Sequence, residues 1–519
     1  MRNGLIYPSH PLHTYLEDAA ARYPDRDAVV YYDGEGRREL SRTGYRVLLE
    51  MSRRFAASLA EMGIAKGDRV AHFLQNSPEL VASFYGVLRA GAAVVPCNPM
   101  YRGRELAGQL EDSGARLVVC DAELLPIVQE VRHSTQVQRV VVVGGDGPDG
   151  FHRLVAGGRA GARLPDVDAE NDLAMLCYTG GTTGVPKGAM LTHRNLVVNA
   201  AQFARWYRYA EGAEVFISCL PLFHIGGIAG AMSVPVSVAG TMVLFRRFQA
   251  GGVLQAIQDY GATRFPGVPT MYIAVMDVED ASAYDLSSLT HSRTSAASLP
   301  PSVKRSFDEL VGRNVLVEGY GLTETAPLTH ANPPDMAREG SMGVPLPDTD
   351  ALIVDSDDGA TPLAAGQVGE LVIRGPQVMR GYWRRPQETE EAMAGGWFHT
   401  GDLARTDGEG YFYIVDRKKD VINAAGFKVW PREVEEVLYR HPAVKLAAVV
   451  GAPDEYRGET VKAVVVLREE YLSGRRTLEG ELLDWCRGHL AAYKRPRVLE
   501  FRDSLPMSAA GKVLKRDLR

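Results

Sequence analysis

The stretch Tyr178-Thr-Gly-Gly-Thr-Thr-Gly-Val-Pro-Lys-Gly188 concentrates the residue types that a bound polyphosphate needs. Four glycines, among them Gly180, Gly181 and Gly184, let the backbone approach a phosphate closely because no Cβ stands in the way. Thr179, Thr182 and Thr183 add hydroxyl donors, and Lys187 adds a fixed positive charge. A Walker-type loop is excluded, since it needs glycine directly before the lysine and this chain has Pro186. An ordinary glycine-rich turn is the bland alternative. It does not account for so many threonines and glycines beside a lysine.

Four more stretches follow in chain order: Tyr320-Gly-Leu-Thr-Glu324, Thr400-Gly-Asp402, Asp416-Arg-Lys-Lys-Asp420 and Gly511-Lys512. Each alone has a bland reading: Glu324 as a helix-terminal acid, Asp402 as a turn residue, Lys512 as an exposed lysine. Together with the loop, and in this order, they resemble the adenylate-forming superfamily of acyl-CoA synthetases, aryl-CoA ligases, firefly-type luciferases and peptide-synthetase adenylation domains. The resemblance runs from about Tyr45 to Arg519.

It implies a chemistry in which a carboxylate attacks the α-phosphorus of ATP, so that two anions must be neutralised and held in line. By resemblance, Lys512 contacts the reacting groups, Thr323 hydrogen-bonds the α-phosphate, and Tyr320 lies against adenine beside Gly321. Asp402 would bind the ribose hydroxyls, as a carboxylate can accept two hydrogen bonds, and Arg417 would add a further nucleotide contact. Glu324 would ligate Mg²⁺, which takes one or two carboxylates plus phosphate oxygens. Lys419 occupies the family's hinge position. Gly426, Phe427 and Lys428 match the loop that serves thioester formation with coenzyme A. His224 stands where the family often has a histidine near the acyl carboxylate; a structural histidine is the alternative. Phe223, His224, Val268, Ser295 and Ala296 are expected to border the acyl pocket. Ser295-Ala-Ala-Ser-Leu299 departs from the family's Gly-Ala-Ala-Pro-Leu pattern, with Ser295 for glycine and Ser298 for proline, and Met507 replaces a common basic residue.

Thr179–Gly184, Phe265–Tyr272 and Ile422–Pro431 are similar to the bacterial medium- and long-chain fatty acyl-CoA synthetases. The expected reaction gives acyl-CoA, AMP and pyrophosphate from a fatty acid, ATP and coenzyme A. An aryl-CoA ligase, a stand-alone adenylating enzyme with another acceptor, and a nucleotide-binding scaffold without catalysis stay open at this point.

The elements that must position these residues can be read from periodicity. Val70–Leu74, Leu117–Cys120 and Leu173–Tyr178 are expected strands. Pro78–Ala90 and a helix carrying Leu196, Ala200, Phe203, Ala204 and Tyr207 on one face alternate with them. This predicts an α/β fold with mostly parallel sheets, with residues 144–172 as a loop. A helix from Pro431, strands at 446–450 and 461–467 and a helix at 478–490 predict a smaller α+β unit. The expected division is 1–416 for the large ATP- and acid-binding domain and 417–519 for the small mobile one.

Composition narrows the class. The chain has 519 residues, too many for one core, and its net charge of −6 carries no footprint for nucleic acid. Five scattered cysteines show neither metal spacing nor a disulfide framework, and the first residues lack the apolar run of a signal peptide, so a cytoplasmic setting is expected. Residues 226–245 are uncharged and long enough to span a bilayer, but Pro235 divides them; a helix followed by a buried strand is expected instead. Peripheral membrane contact stays open, as does the choice between monomer and homodimer.

Overall fold

The structure, a computed structural model, describes residues 5–32, 38–159, 161–179, 186–295, 297, 299–424, 427–454, 458–508, 511 and 513–519. Gly180, Gly181, Thr182, Thr183, Gly184, Ala296, Gly426 and Lys512 lie outside the described residues.

Two sheets of α/β type form the bulk. One has six strands in the order Arg139–Val143, Leu117–Asp121, Arg69–Phe73, Ala93–Pro96, Leu173–Thr179 and Lys187–Thr192; only the last pair is antiparallel. The other has nine strands, and its central run, from Leu316–Gly321 through His291–Thr294, Arg264–Gly267, Val215–Ser218 and Thr241–Phe245 to Asp27–Tyr32, is parallel. Strands covered on both faces read as unbroken apolar runs, and Thr241–Phe245 is buried at every position.

Local chemistry starts the helices. Ser77 accepts a hydrogen bond from Leu80 N ahead of helix Pro78–Arg89, with Pro78 in the first turn. Thr192 caps helix His193–Trp206 in a capping box with Asn195. Residues 225–237 are helical, with a π-helical stretch Ile228–Ser233, and lead into strand Thr241–Phe245 as expected. Among the described residues no helix is long and apolar enough to cross a membrane.

Two features differ from the expectation. Residues 144–172 are not all loop, because Phe151–Gly157 is a helix whose Phe151 is fully buried, 4.9 Å from the ring of Phe55. Two turns hold too few apolar positions to register as periodic. A third sheet, wholly antiparallel, runs Asp350–Val354, Gly369–Arg374, Phe398–Thr406 and Phe412–Arg417. After it, five strands between Ile422 and Phe501 build a fourth sheet with its own apolar clusters, centred on Val434, Val449, Val465 and Leu482.

A buried ion pair pins the nine-stranded sheet. Both oxygens of Glu214 receive Arg264, Nε and Nη2 each at 2.7 Å, and Glu214 also accepts from Ala210 N and Thr263 Oγ1. Glu214 is 2% exposed. Removing one partner of such a pair strands the other charge. Glu214→Ala is therefore expected to destabilise the protein by about 3–5 kcal/mol, read as a lower urea midpoint; an unchanged midpoint would contradict this role.

Candidate active site

The strands that flank the glycine-rich stretch, Leu173–Thr179 and Lys187–Thr192, pair antiparallel with Thr179 opposite Lys187. Residues 379–383 clamp this hairpin. Arg380 N donates to Met190 O, Met190 N to Gly381 O, and Trp383 N to Gly188 O, at 2.8 to 2.9 Å. Trp383 Nε1 reaches Asp112 O at 3.0 Å, and the hydroxyl of Tyr178 reaches the Asp112 carboxylate at 2.6 Å. Lys187 Nζ stands 5.2 Å from the centre of the Tyr382 ring.

The same clamp holds Glu324, which sits in the single 3₁₀ turn Thr323–Thr325 at the end of strand Leu316–Gly321. Met379 N donates to Glu324 O at 2.7 Å, and the Tyr382 hydroxyl donates to Glu324 Oε1 at 2.9 Å. Thr179 Oγ1 is 3.5 Å from that oxygen, too long for a strong hydrogen bond. Gly321 allows the turn: a Cβ there would lie 1.9 Å from Pro327 O. Glu324 is buried, and burial pushes its carboxyl above the usual carboxylate range, while the Tyr382 hydroxyl pulls it down.

The third sheet brings Asp402 to the other side of this strand. The Tyr320 hydroxyl donates to Asp402 Oδ2 at 2.6 Å, and Arg417, opposite Asp402 in the strand pair, places Nε 3.3 Å from Oδ1. Burial and the Asp402 charge hold the Tyr320 phenol well above its ordinary range.

Among the residues expected to border an acyl pocket, His224 Nδ1 accepts from Gly226 N at 3.1 Å, so the neutral ring carries its proton on Nε2. Phe223 is half-buried beside it; Val268 is buried and precedes helix Pro269–Met276. Ser295 Oγ accepts from Arg293 Nη1 at 3.1 Å. Gly511 comes so close to Val268 that a Cβ on it would fall 2.9 Å from Val268 Cγ2. Gly511 therefore packs directly against Val268. Lys445 adds an ion pair with Asp277 at 2.7 Å.

Lys419 is exposed in the turn after strand Phe412–Arg417. Phe427 is 57% exposed and stacks on Tyr493 at 4.9 Å, and Lys428 is exposed on the same hairpin. Among the described residues no hydrogen bond, ion pair or ring contact joins Phe427 or Lys428 to the groups around Glu324 and Asp402. Sequence reasoning missed Tyr382, whose contact with Glu324 spans 58 positions. The only local hint was an aromatic pair, Tyr382-Trp383, after a glycine.

A single buried carboxylate suits Mg²⁺ shared with nucleotide phosphates, and among the described residues no group of three or more metal-binding side chains offers a full protein cage.

A doubly built α/β scaffold, an antiparallel sheet that delivers an aspartate to Tyr320 on the strand leading into the Glu324 turn, and a smaller unit after it are together the arrangement of an adenylate-forming enzyme. The chain belongs to the AMP-binding enzyme family: residues 16–383 match the AMP-binding enzyme model, and residues 433–512 match the AMP-binding enzyme C-terminal domain. It is 38% identical to a long-chain-fatty-acid–CoA ligase of Bacillus subtilis, covering 99% of this chain and 95% of that protein. Identity to a long-chain-fatty-acid–CoA ligase of Escherichia coli O6:H1 is 39%, over 97% of this chain and 93% of the relative. Among solved structures, an anthranilate CoA ligase in complex with anthranoyl-AMP superposes with a TM-score of 0.90 at 28% identity, covering 99% of this chain and 97% of that one.

The Tyr382–Glu324 contact has a pH signature. The hydroxyl favours the charged carboxylate, so Tyr382→Phe lifts the Glu324 pKa further. If the carboxylate form is the active one, the acidic limb of the pH–rate profile for ATP–pyrophosphate exchange moves to higher pH, with the plateau lowered by less than about tenfold. An acidic limb at its wild-type position would remove Tyr382 from this role.

Proposed function

We propose that this protein is an acid–thiol ligase that activates a medium- or long-chain fatty acid with ATP and transfers the acyl group to coenzyme A. The observation that carries the reading is the meeting of Thr179 and Tyr382 at Glu324, with Lys187 over the Tyr382 ring, beside Asp402, Tyr320 and Arg417, and with Gly511 resting on Val268. Near full-length similarity to long-chain-fatty-acid–CoA ligases supports the choice of acid and acceptor.

In the first half-reaction a carboxylate oxygen of the acid forms a bond to the α-phosphorus, and the bond to pyrophosphate breaks. Lys187 and the loop around it would hold the phosphates; Lys512, on the loop anchored by Gly511, would offset the charge that develops between carboxylate and phosphate. Thr323 would donate to the α-phosphate, and Asp402 would exchange its Tyr320 and Arg417 partners in part for the ribose hydroxyls. Glu324 would hold Mg²⁺, whose contribution is charge neutralisation on the phosphates. His224, with its proton on Nε2, is suited to donate to the acid's carboxylate.

In the second half-reaction the sulfur of coenzyme A forms a bond to the acyl carbon, AMP leaves, and the thiol proton passes to solvent. We place the division between the large and small domains at Asp416–Arg417 and the hinge at Lys419. On this reading the small domain turns to replace Lys512 by Gly426, Phe427 and Lys428. The contact of Gly511 with Val268 fits the adenylating orientation, and the exposure of Phe427 fits a loop held in reserve. All five cysteines are free and buried, which suits the cytoplasm we assign.

Each methylene taken into an apolar tunnel contributes roughly 0.8 kcal/mol. Acid-dependent thioester formation is therefore expected to gain up to about fourfold in kcat/KM per carbon, until the tunnel ends. A flat profile from acetate to dodecanoate, or turnover of benzoate-type acids alone, would replace the fatty-acid reading by the aryl one.

A further inference from the structure

The nine-stranded sheet carries two neighbouring arginines in very different states. Arg264 is neutralised by Glu214 through two hydrogen bonds. Arg293, on the adjacent strand His291–Thr294, is 4% exposed, and among the described residues no carboxylate pairs with it. Among the described residues its one hydrogen bond as a side-chain donor goes to Ser295 Oγ, and the guanidinium lies 4.9 Å from the centre of the Phe203 ring. A guanidinium has five N–H donors, and burying its charge with one neutral acceptor and one ring is unfavourable unless something else completes it.

Its position says what that could be. A Cβ on Gly230 would lie 2.5 Å from Arg293 Nη2, and one on Gly319 would lie 3.6 Å from Arg293 Cδ. Gly230 is in the π-helical stretch that follows His224, and Gly319 directly precedes Tyr320. The guanidinium thus stands against the π-helical segment that follows His224, beside Ser295, and the Cδ of the same side chain lies along the strand that leads into the Glu324 turn. Gly230 leaves to the guanidinium the place where a side chain would otherwise stand.

We propose that Arg293, with Ser295, is a specificity-determining anchor in the acyl site. It recognises an acid whose chain bears a second acceptor oxygen, either another carboxylate or a hydroxyl group. This rests on the fatty-acid reading above and narrows it. A chain with such an oxygen completes the fork, most fully as a carboxylate in bidentate contact. A plain chain of equal length leaves the fork unpaired, and its gain per methylene ends where it meets Arg293.

The test uses the full-length protein and acids of eight, twelve and sixteen carbons, each as the plain, ω-hydroxy and α,ω-dicarboxylic form. Binding is followed by calorimetry and adenylation by ATP–pyrophosphate exchange. At one or more lengths an oxygen-bearing acid is expected to outperform the plain acid by at least about tenfold in both. Arg293→Met should abolish that preference and improve use of the plain acid; Arg293→Lys, which keeps the charge but not the fork, should retain part of it. Should Arg293→Met fail to fold, the lysine variant decides, since an unchanged preference in it overturns the proposal. So does a wild-type protein that favours the plain acid at every length, which would leave Arg293 a structural cation. The better arm tells a carboxylate from a hydroxyl. A binding preference without any CoA thioester product would overturn the ligase reading and leave the anchor standing.

Discussion

The site depends on one short run of backbone pairing, residues 379–383. It joins three things that are distant in the chain: the hairpin that ends in Thr179 and Lys187, the turn that carries Glu324, and, through Trp383, the Asp112 that holds Tyr178. Backbone hydrogen bonds at this seam leave little freedom to slide, because each missed bond would bury an unpaired N–H or C=O. The carboxylate of Glu324 is thereby set against the end of the phosphate-type loop without any direct covalent or strand connection between them. Positioning of this kind, more than any single contact, is what a reaction between two anions demands.

Burying carboxylates is the second constraint. Glu324 and Asp402 are both nearly inaccessible, yet each keeps polar partners, Tyr382 for one and Tyr320 with Arg417 for the other. A third acid, Glu318, lies on strand Leu316–Gly321, which leads into the Glu324 turn, and burial pushes it up to about 7 while Arg432 pulls it down. Arg432 belongs to helix Pro431–Tyr439, and its backbone N donates to Asp416. Strand, turn and small unit are therefore electrically aware of one another. A change in the position of that helix alters the charge balance next to Tyr320.

Much of this was legible in the sequence, for reasons that can be traced residue by residue. Parallel strands such as Leu117–Asp121 and Leu173–Thr179 announce themselves as apolar runs, and Pro431 marks a helix start. Glu324, Asp402 and Lys187 stand in ordered motifs, and the structure brings these three to one region. The third sheet was not read because its strands are partly exposed and separated by Gly- and Asp-rich turns, so no continuous apolar run marks them. Tyr382 and Arg293 stayed hidden for another reason. Their significance lies in partners across the fold, Glu324 for one and Gly230 and Gly319 for the other, and no local spacing encodes that. The loop core 180–185, Ala296, Gly426 and Lys512 rest on the sequence motifs alone.

The central claim is that one site joins the acid to AMP before any thiol attacks. It is tested most directly by the fate of the carboxyl oxygens. Fatty acid labelled with ¹⁸O in both carboxyl positions is turned over with ATP and coenzyme A in unlabelled water, and the products are examined by mass spectrometry. An acyl-AMP intermediate predicts that one ¹⁸O appears in AMP and none in pyrophosphate. Label in inorganic phosphate or in pyrophosphate, or AMP formed without label, would contradict it.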